Sequence, residues 1–270
     1  MKRMRFAVLL AALLLAFTAC GGQEAPTGED MGDDLLAKIQ AKGEITIAME
    51  GTWSPWTYHD ESGALVGYDV EVATAIAEKL GVKPSFIEGE WDGLLAGLDA
   101  GRYDIMVNGV EIDEGRKEKY DFSTPYAYGR VAVIVGSSNE DIASMEDLEG
   151  KTTANTLSST YAALAERYGA NVTGVDDFIQ TIELLTSGRI DATLNAEGSF
   201  DDYMAVHPDA PIRIACFAPD ATQVAIPLRK GEETAALREA IDQALAELAE
   251  DGTLTELAVK YFGKDISQAQ

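Results

Sequence analysis

Histidine and cysteine, the residues most often recruited for chemistry, are scarce in this sequence. His59 and His207 lie far apart with no metal-ligand spacing, and the two cysteines, Cys20 and Cys216, cannot build a thiolate cluster or a disulfide-rich scaffold. No metal or cofactor is expected. The remaining polar chemistry gathers in four short stretches. Residues 50–58 form a loop punctuated by Gly51 and Pro55, and it carries one acid, Glu50, with the aromatics Trp53, Trp56 and Tyr58. Loops seldom hold that much apolar mass unless it packs on the body of the protein or on a ligand. Residues 108–126 bring Asn108, Gly109, Glu111 and Arg116 within nine positions. Residues 157–161 form a hydroxyl-rich turn with Ser158, Ser159 and Thr160, where one hydroxyl can cap a helix and free backbone N–H groups suit a carboxylate. The last stretch is Asn195-Ala196-Glu197.

Each stretch adjoins the end of a strand or helix. The pattern predicts strands over residues 44–49, 103–107, 131–135, 151–156, 171–175 and 191–194, and helices over 68–80, 91–100, 159–167 and 177–186. The helix over 68–80 aligns Val70, Val72, Ala73, Ile76, Ala77 and Leu80 on one face and stops at Gly81. Short strands separated by such helices argue for an α/β protein with parallel sheets built from βαβ units, and these sheets bind ligands at the carboxyl ends of their strands. Residues 94–108 and 181–195 share a plan of helix, Gly-Arg-x-Asp, short strand and asparagine, ending in Asn108 and Asn195, as one supersecondary unit used once in each of two lobes would. Residues 232–249 and 251–261 predict two long amphipathic helices, with Gly252 as stop and restart.

Composition narrows the partners. The chain has 270 residues, 46% of them hydrophobic, enough for a large core. Its 46 acidic and 21 basic residues give a formal charge of −25, which excludes a nucleic-acid partner and disfavours anionic membrane surfaces. Lys2, Arg3 and Arg5 precede an apolar run over residues 6–17, shorter than the ~20 residues that cross a bilayer, so residues 1–19 read as a signal peptide. The sequence Phe17-Thr18-Ala19-Cys20-Gly21 resembles a bacterial lipobox, in which Cys20 would carry the lipid. Residues 20–34 are an acidic flexible tether. The expectation is an exported protein, lipid-anchored to the cell membrane on its extracytoplasmic or periplasmic face. Cys216, within an apolar strand-like run, reads as a buried structural thiol.

The second stretch carries a more specific signal. Gly109 and Arg116, followed by Phe122-Ser123-Thr124-Pro125-Tyr126, resemble the extracellular solute-binding proteins of family 3, which serve polar amino acid ABC transporters. Residues 119–126, 91–98, 191–195 and 260–265 are similar to the cystine-binding subgroup, and the resemblance spans about residues 36–267. It implies a two-lobed periplasmic-binding-protein fold of type II, each lobe a mostly parallel sheet flanked by helices, joined by a two-strand hinge. Lobe one would comprise residues 35–132 plus 224–270 and lobe two residues 133–223, with the crossings near 131–135 and 222–228. It also implies a non-catalytic monomer that binds a small amino acid, cystine-like or otherwise polar, and delivers it to a membrane permease.

By the same resemblance Arg116 takes the ligand α-carboxylate, a role suited to a planar, permanently charged guanidinium. Trp53 and Trp91 would sandwich the ligand, Ser159 and Thr160 would arrive from the second lobe, and Glu50, Asn108, Gly109, Glu111, Asn195 and Glu197 complete the expected site. Two departures stand out. Relatives place an acid for the ligand ammonium where this chain has Ala196, next to Glu197, and a Ser or Thr where it has Glu111. A carboxylate at 111 would repel that of the ligand unless it faces solvent or pairs with Arg116. Three acids near one cleft would favour a cationic amine over cystine. The fold also resembles cyclohexadienyl dehydratases, in which Glu111 or Glu197 would be the general acid, and a sensor module binding a cationic amine is the third reading.

Overall fold

Capping residues set where the first element starts and stops. Asp34 accepts the Leu36 N–H at 3.0 Å and opens α1 (Leu35–Lys42), and Gly43, at φ 71°, closes it. The computed structural model describes residues 34–269; the expected signal peptide, Cys20 and all of the tether but Asp34 lie outside the described residues. The chain then forms β1 (Glu44–Met49), β2 (Thr52–Trp53), β3 (Thr57–His59), β4 (Leu65–Val66), α2 (Tyr68–Lys79), β5 (Lys83–Glu88), α3 (Trp91–Asp99), β6 (Ile105–Met106), α4 (Glu114–Lys119) and β7 (Tyr120–Phe122). Next come β8 (Ala127–Gly136), a short 3₁₀ turn (Met145–Leu148), β9 (Thr152–Asn155), α5 (Thr160–Arg167), β10 (Asn171–Gly174), α6 (Phe178–Thr186), β11 (Ala192–Ala196), α7 (Glu197–Val206) and β12 (Ile212–Val224). The described chain finishes with β13 (Pro227–Arg229), α8 (Glu232–Glu250) and α9 (Thr253–Phe262).

The protein is α/β with two lobes. In the first, β1 lies between β5 and β6 and pairs with both in parallel. Its residues Ile45, Ile47, Ala48 and Met49 are fully buried, as a central parallel strand covered on both faces requires. The second sheet runs β10-β9-β11-β8-β12; its β9 pairings are parallel and its β8 pairings antiparallel. The strands β8 and β12 carry the chain between lobes. Val131–Val135 of β8 pairs with β11, but below a register shift after Phe217 the residues 127–130 pair with 221–224 of β12 as a two-stranded ribbon. The return strand ends at Val224, and Pro227–Arg229 already pairs with β7 of the first lobe.

Both lobes use the same corner. The Thr46 N–H and hydroxyl donate to Asp104 Oδ2 at 2.7 and 2.6 Å, and the Thr152 N–H and hydroxyl donate to Asp191 Oδ2, both at 2.7 Å. In return the Asp104 and Asp191 N–H groups donate to the Thr46 and Thr152 hydroxyl oxygens. Asp104 and Asp191 are the aspartates of the repeated Gly-Arg-x-Asp, so that motif is a clasp tying one strand to its parallel neighbour. Helix α6 therefore stands to lobe two as α3 stands to lobe one.

Among the elements that the periodicity does not predict, three show why. Strand β5 begins Lys83-Pro84, has no buried residue and lies on a sheet edge, the position where proline is tolerated. Helix α4 is six residues of mostly charged sequence, and α7 buries only Ser199, so neither shows an apolar stripe. Gly252 sits at φ 85° between α8 and α9, as expected. Cys216 is a half-buried free thiol on β12 whose pKa burial pushes up, consistent with an inert packing role. We expect Asp104→Ala and Asp191→Ala each to lower unfolding free energy by about 1–3 kcal/mol, the usual cost of orphaning paired donors. Urea titration measures this, and a loss under about 0.5 kcal/mol in either variant would show that the clasp does not hold its lobe.

Candidate functional site

Arg116 is 7% exposed, so its charge must be met by neighbours. Asp113 caps α4 by accepting the Arg116 N–H at 3.0 Å, and its other oxygen lies 3.3 Å from Arg116 Nε. Nη1 donates to the Glu111 carbonyl at 2.8 Å and Nη2 to the Ser158 carbonyl at 3.3 Å. Trp91 presents its ring face 5.2 Å from the guanidinium carbon. This arrangement commits Nε and one N–H on each terminal nitrogen. The other N–H on each has no acceptor among the described residues, which leaves the end-on fork that matches the two oxygens of a carboxylate.

The facing wall grows out of the ends of β1 and β6. Trp53 on β2 stacks on Trp56 with centroids 5.4 Å apart at 17°, which fixes its indole. Gly109, at φ 54°, lies so close beneath that a Cβ would come 2.5 Å from the Trp53 ring, so only glycine fits there. Its N–H donates to buried Asp69, which also accepts from the Tyr126 hydroxyl at 2.7 Å. Asn108 is fully buried; it accepts the Glu50 N–H at 2.7 Å and donates to Glu50 Oε2 at 2.7 Å. It therefore aims Glu50 and does not line the cleft, which corrects its expected place in the site.

Lobe two supplies the opposite side. Ser159 caps α5, with Oγ accepting from the Ala162 N–H at 3.1 Å, and Thr160 begins the helix. The Thr160 hydroxyl donates to Glu111 Oε2. Asn195, at the end of β11, accepts from Trp53 Nε1 at 3.3 Å across the cleft. Ser158 donates its N–H and hydroxyl to Asp92 at 3.1 and 2.6 Å. These bonds, with Arg116 to Ser158, hold the two lobes closed on each other.

Glu50, Trp53, Trp91, Gly109, Glu111, Arg116, Ser159, Thr160 and Asn195 come together around one cavity. Glu197 does not. It opens α7 and pairs with Arg130 at 2.7 Å and Lys264 at 3.1 Å around a separate cavity on the hinge side. Burial opposes ionisation there, but those two cations hold the carboxyl below its usual range. The cleft also includes Asn155, Tyr161, Asp177, Phe178 and Thr181, which the sequence reading did not select. The internal repeat contains a signal for two of them: Phe178 begins α6 as Trp91 begins α3, and Asp177 stands where Glu90 does. Trp91 Nε1 and Asn155 Oδ1 are buried without a hydrogen-bond partner among the described residues.

The family model of bacterial extracellular solute-binding proteins, family 3, matches residues 45–264. The chain is 37% identical to the L-cystine-binding protein TcyA of Bacillus subtilis, over 99% of this chain and 100% of that one. Among solved structures, it aligns with an ancestral arginine-binding protein bound to arginine at a TM-score of 0.76 and 36% identity, covering 82% of this chain and 99% of that one. It aligns with the L-cystine solute receptor of Neisseria gonorrhoeae in its unliganded open conformation at a TM-score of 0.60 and 39% identity, covering 87% and 100%. The lower score against an open form at higher identity fits the cross-cleft bonds described above.

Three acids, Glu50, Glu111 and Asp177, face the cavity against one cation, Arg116. Burial raises Glu50 to about 7, against the Asn108 hydrogen bond that favours its ionised form, with Asp177 and Asp92 adding to the rise. Burial likewise raises Asp69 to about 7. A carboxyl raised on folding keeps more protons in the folded state than in the unfolded chain. Its stabilisation is complete below its unfolded value near 4–4.5 and is lost as pH climbs to about 7. Carboxyls lowered on folding, such as Asp147 and Asp191, exert their effect below about pH 4. We therefore expect stability to decline between pH 5 and 7, by at most about tenfold in the folding constant per pH unit per group. Glu50→Gln should make this decline shallower, because glutamine can still accept from Asn108. Melting curves across pH 5–7 check it, and an unchanged slope would remove Glu50 from the account.

Proposed function

The chain belongs to the bacterial extracellular solute-binding proteins, family 3, and on that premise we propose that it clasps a small polar amino acid in the cleft and hands it to an ABC transporter permease. The observation that carries the reading is the buried Arg116, with one N–H of each terminal nitrogen unclaimed among the described residues, flanked by aromatic faces and by the first turn of α5. The ligand α-carboxylate docks end-on on that fork, with N–H groups near Ser159 and Thr160 completing its shell. Trp53, Trp91 and Phe178 exclude water and cover the apolar part of the ligand. With Ala196 where relatives carry an acid and Glu197 engaged elsewhere, Glu50, Asp177 and Asn195 face the ammonium.

Ligand favours the closed form because lobe two contributes contacts that an open cleft withholds. The closed surface is then what a permease distinguishes from the empty open one. Export and a lipid on Cys20 would keep the protein beside that permease. The competing chemistry is dehydratase-like elimination with Glu111 as acid. The relatives matched over nearly the whole chain are named as binding proteins, which supports binding over turnover.

Titration calorimetry with the twenty amino acids and L-cystine tests the reading. At least one should bind, and Arg116→Ala should weaken it by about a hundredfold or more with an unaltered circular dichroism spectrum, the scale of removing a buried charged partner. Retained affinity in that variant would place the carboxylate anchor elsewhere. For the anchor, Cys20→Ala should abolish metabolic palmitate labelling and release the protein from membranes. Continued labelling would disprove lipidation at Cys20.

A further inference from the structure

Glu111 stands at the centre of the site in a role that amino-acid binding alone does not require. It is 7% exposed and lines the cleft, and its own carbonyl accepts from Arg116. Its backbone is stitched to the hinge: Glu111 bridges to Val224, Ile112 N–H donates to Gln223 at 2.8 Å, and Ala225 N–H donates to Val110 at 3.0 Å. These bonds fix the Glu111 backbone at the cleft, and its side chain is buried there. Its carboxyl faces the guanidinium of Arg116 from α4, the hydroxyls of Thr160 and Tyr161 from α5, and the hydroxyl of Thr222 from β12. Asp113, the other acid beside Arg116, is already in its ion pair, and Glu50 approaches from the far wall near Tyr161.

This geometry creates a conflict. In the empty cleft, hydroxyl donors and the guanidinium, which Asp113 shares, favour an ionised Glu111 against the burial that opposes it. A ligand carboxylate on the same guanidinium puts two like charges in a water-poor cleft, and two carboxylates sharing one site do not both stay ionised. Glu111 is the one that can yield: burial already pushes its carboxyl above the ordinary range. Tyr161 cannot supply a proton near neutral pH, because burial and Glu111 push its hydroxyl far up. The proton must come from solvent.

We propose that Glu111 is a proton-uptake site coupled to the cleft, so that an amino acid docks its carboxylate on Arg116 together with one proton taken up by the Glu111 side chain. The proposal rests on the amino-acid reading above. The protonated carboxyl turns from a repelling neighbour into a hydrogen-bond donor toward the ligand. Affinity then falls as pH rises, up to tenfold per unit, between the values at which Glu111 titrates in the empty and in the occupied protein. An amine with no carboxylate binds without this proton. At the far wall Glu50 acts with opposite sign, since a ligand ammonium beside it favours release of a proton.

The test is calorimetry on the full protein with L-arginine, L-glutamine, L-cystine and the remaining common amino acids. It is run in buffers of different ionisation enthalpy from pH 5.5 to 8.5, and repeated in Glu50→Gln to silence the opposing group. The slope of heat against buffer enthalpy should show uptake approaching one proton, and Glu111→Gln in that background should abolish both the uptake and the pH slope of affinity. Glu111→Thr serves as a second variant if melting shows that glutamine is not accommodated, with the same expectation. Uptake persisting without Glu111, or binding with no uptake in Glu50→Gln, overturns the proposal and leaves the binding function standing. Failure of every amino acid to bind removes the binding function and this inference with it.

Discussion

A guanidinium out of water is the constraint from which the site follows. Removing an ion from solvent costs several kcal/mol unless its charge and donors are met. Here Asp113, two carbonyl oxygens and the Trp91 face meet Arg116. Each partner in turn dictates something larger. Asp113 must cap α4, so a six-residue charged helix persists without an apolar stripe. Glu111 must offer its carbonyl inward, so its backbone is stitched to the end of β12. Ser158 must come across from the other lobe, so the pocket is complete only when the lobes meet. The energetic demand of one side chain thus links local capping, hinge attachment and closure.

The same economy appears in how the lobes are built. One corner, a threonine clasped by the aspartate of Gly-Arg-x-Asp, recurs at Thr46–Asp104 and Thr152–Asp191. It aligns two βαβ units so that their strand ends, carrying Asn108 and Asn195, point toward a common cleft, where parallel sheets place their ligands. The two asparagines have diverged in use. One is fully buried and holds Glu50 in place, and the other reaches across to Trp53. Equivalent positions in a repeat share backbone placement and not chemistry.

That distinction explains what the sequence disclosed. Strand β1 was legible to the residue, because a central parallel strand is a continuous apolar run, and α2 because its stripe is wide and ends at glycine. Strand β5 and helices α4 and α7 were not, since an edge strand and two small or charged helices lack a buried face. Among the cavity-lining residues, Arg116 and Glu111 were legible through the stretch that carries the family motif, and Ser159–Thr160 as a hydroxyl-rich turn between a strand and a helix. Asn108 and Glu197 were misplaced because sequence marks where a backbone ends and not which way its side chain turns. Asp177, Phe178 and Asn155 were missed because they assemble only through the second lobe's fold, although the offset between Trp91 and Phe178 was there to be followed.

Glu197 shows what its turning away does to the rest. On the hinge side it gathers Arg130, which also covers the Phe217 ring at 3.8 Å, and Lys264 near the C-terminal end of the described chain. It thereby ties lobe two to the crossing ribbon and to the segment that follows α9. A carboxylate neutralised by two cations behind the hinge exerts little pull on a ligand ammonium in front of it. The acids that line the cleft are then Glu50, Asp177 and Glu111, with Arg116 as the cation among them. On the proposed reading, such a cleft would distinguish ligands by how their charges are spaced as well as by their sum, the carboxylate meeting Arg116 while the ammonium reaches the acids. A molecule with the right net charge and the wrong separation would leave one buried acid or the guanidinium uncompensated, and the desolvation cost of that error exceeds what apolar contact with Trp53 and Trp91 returns.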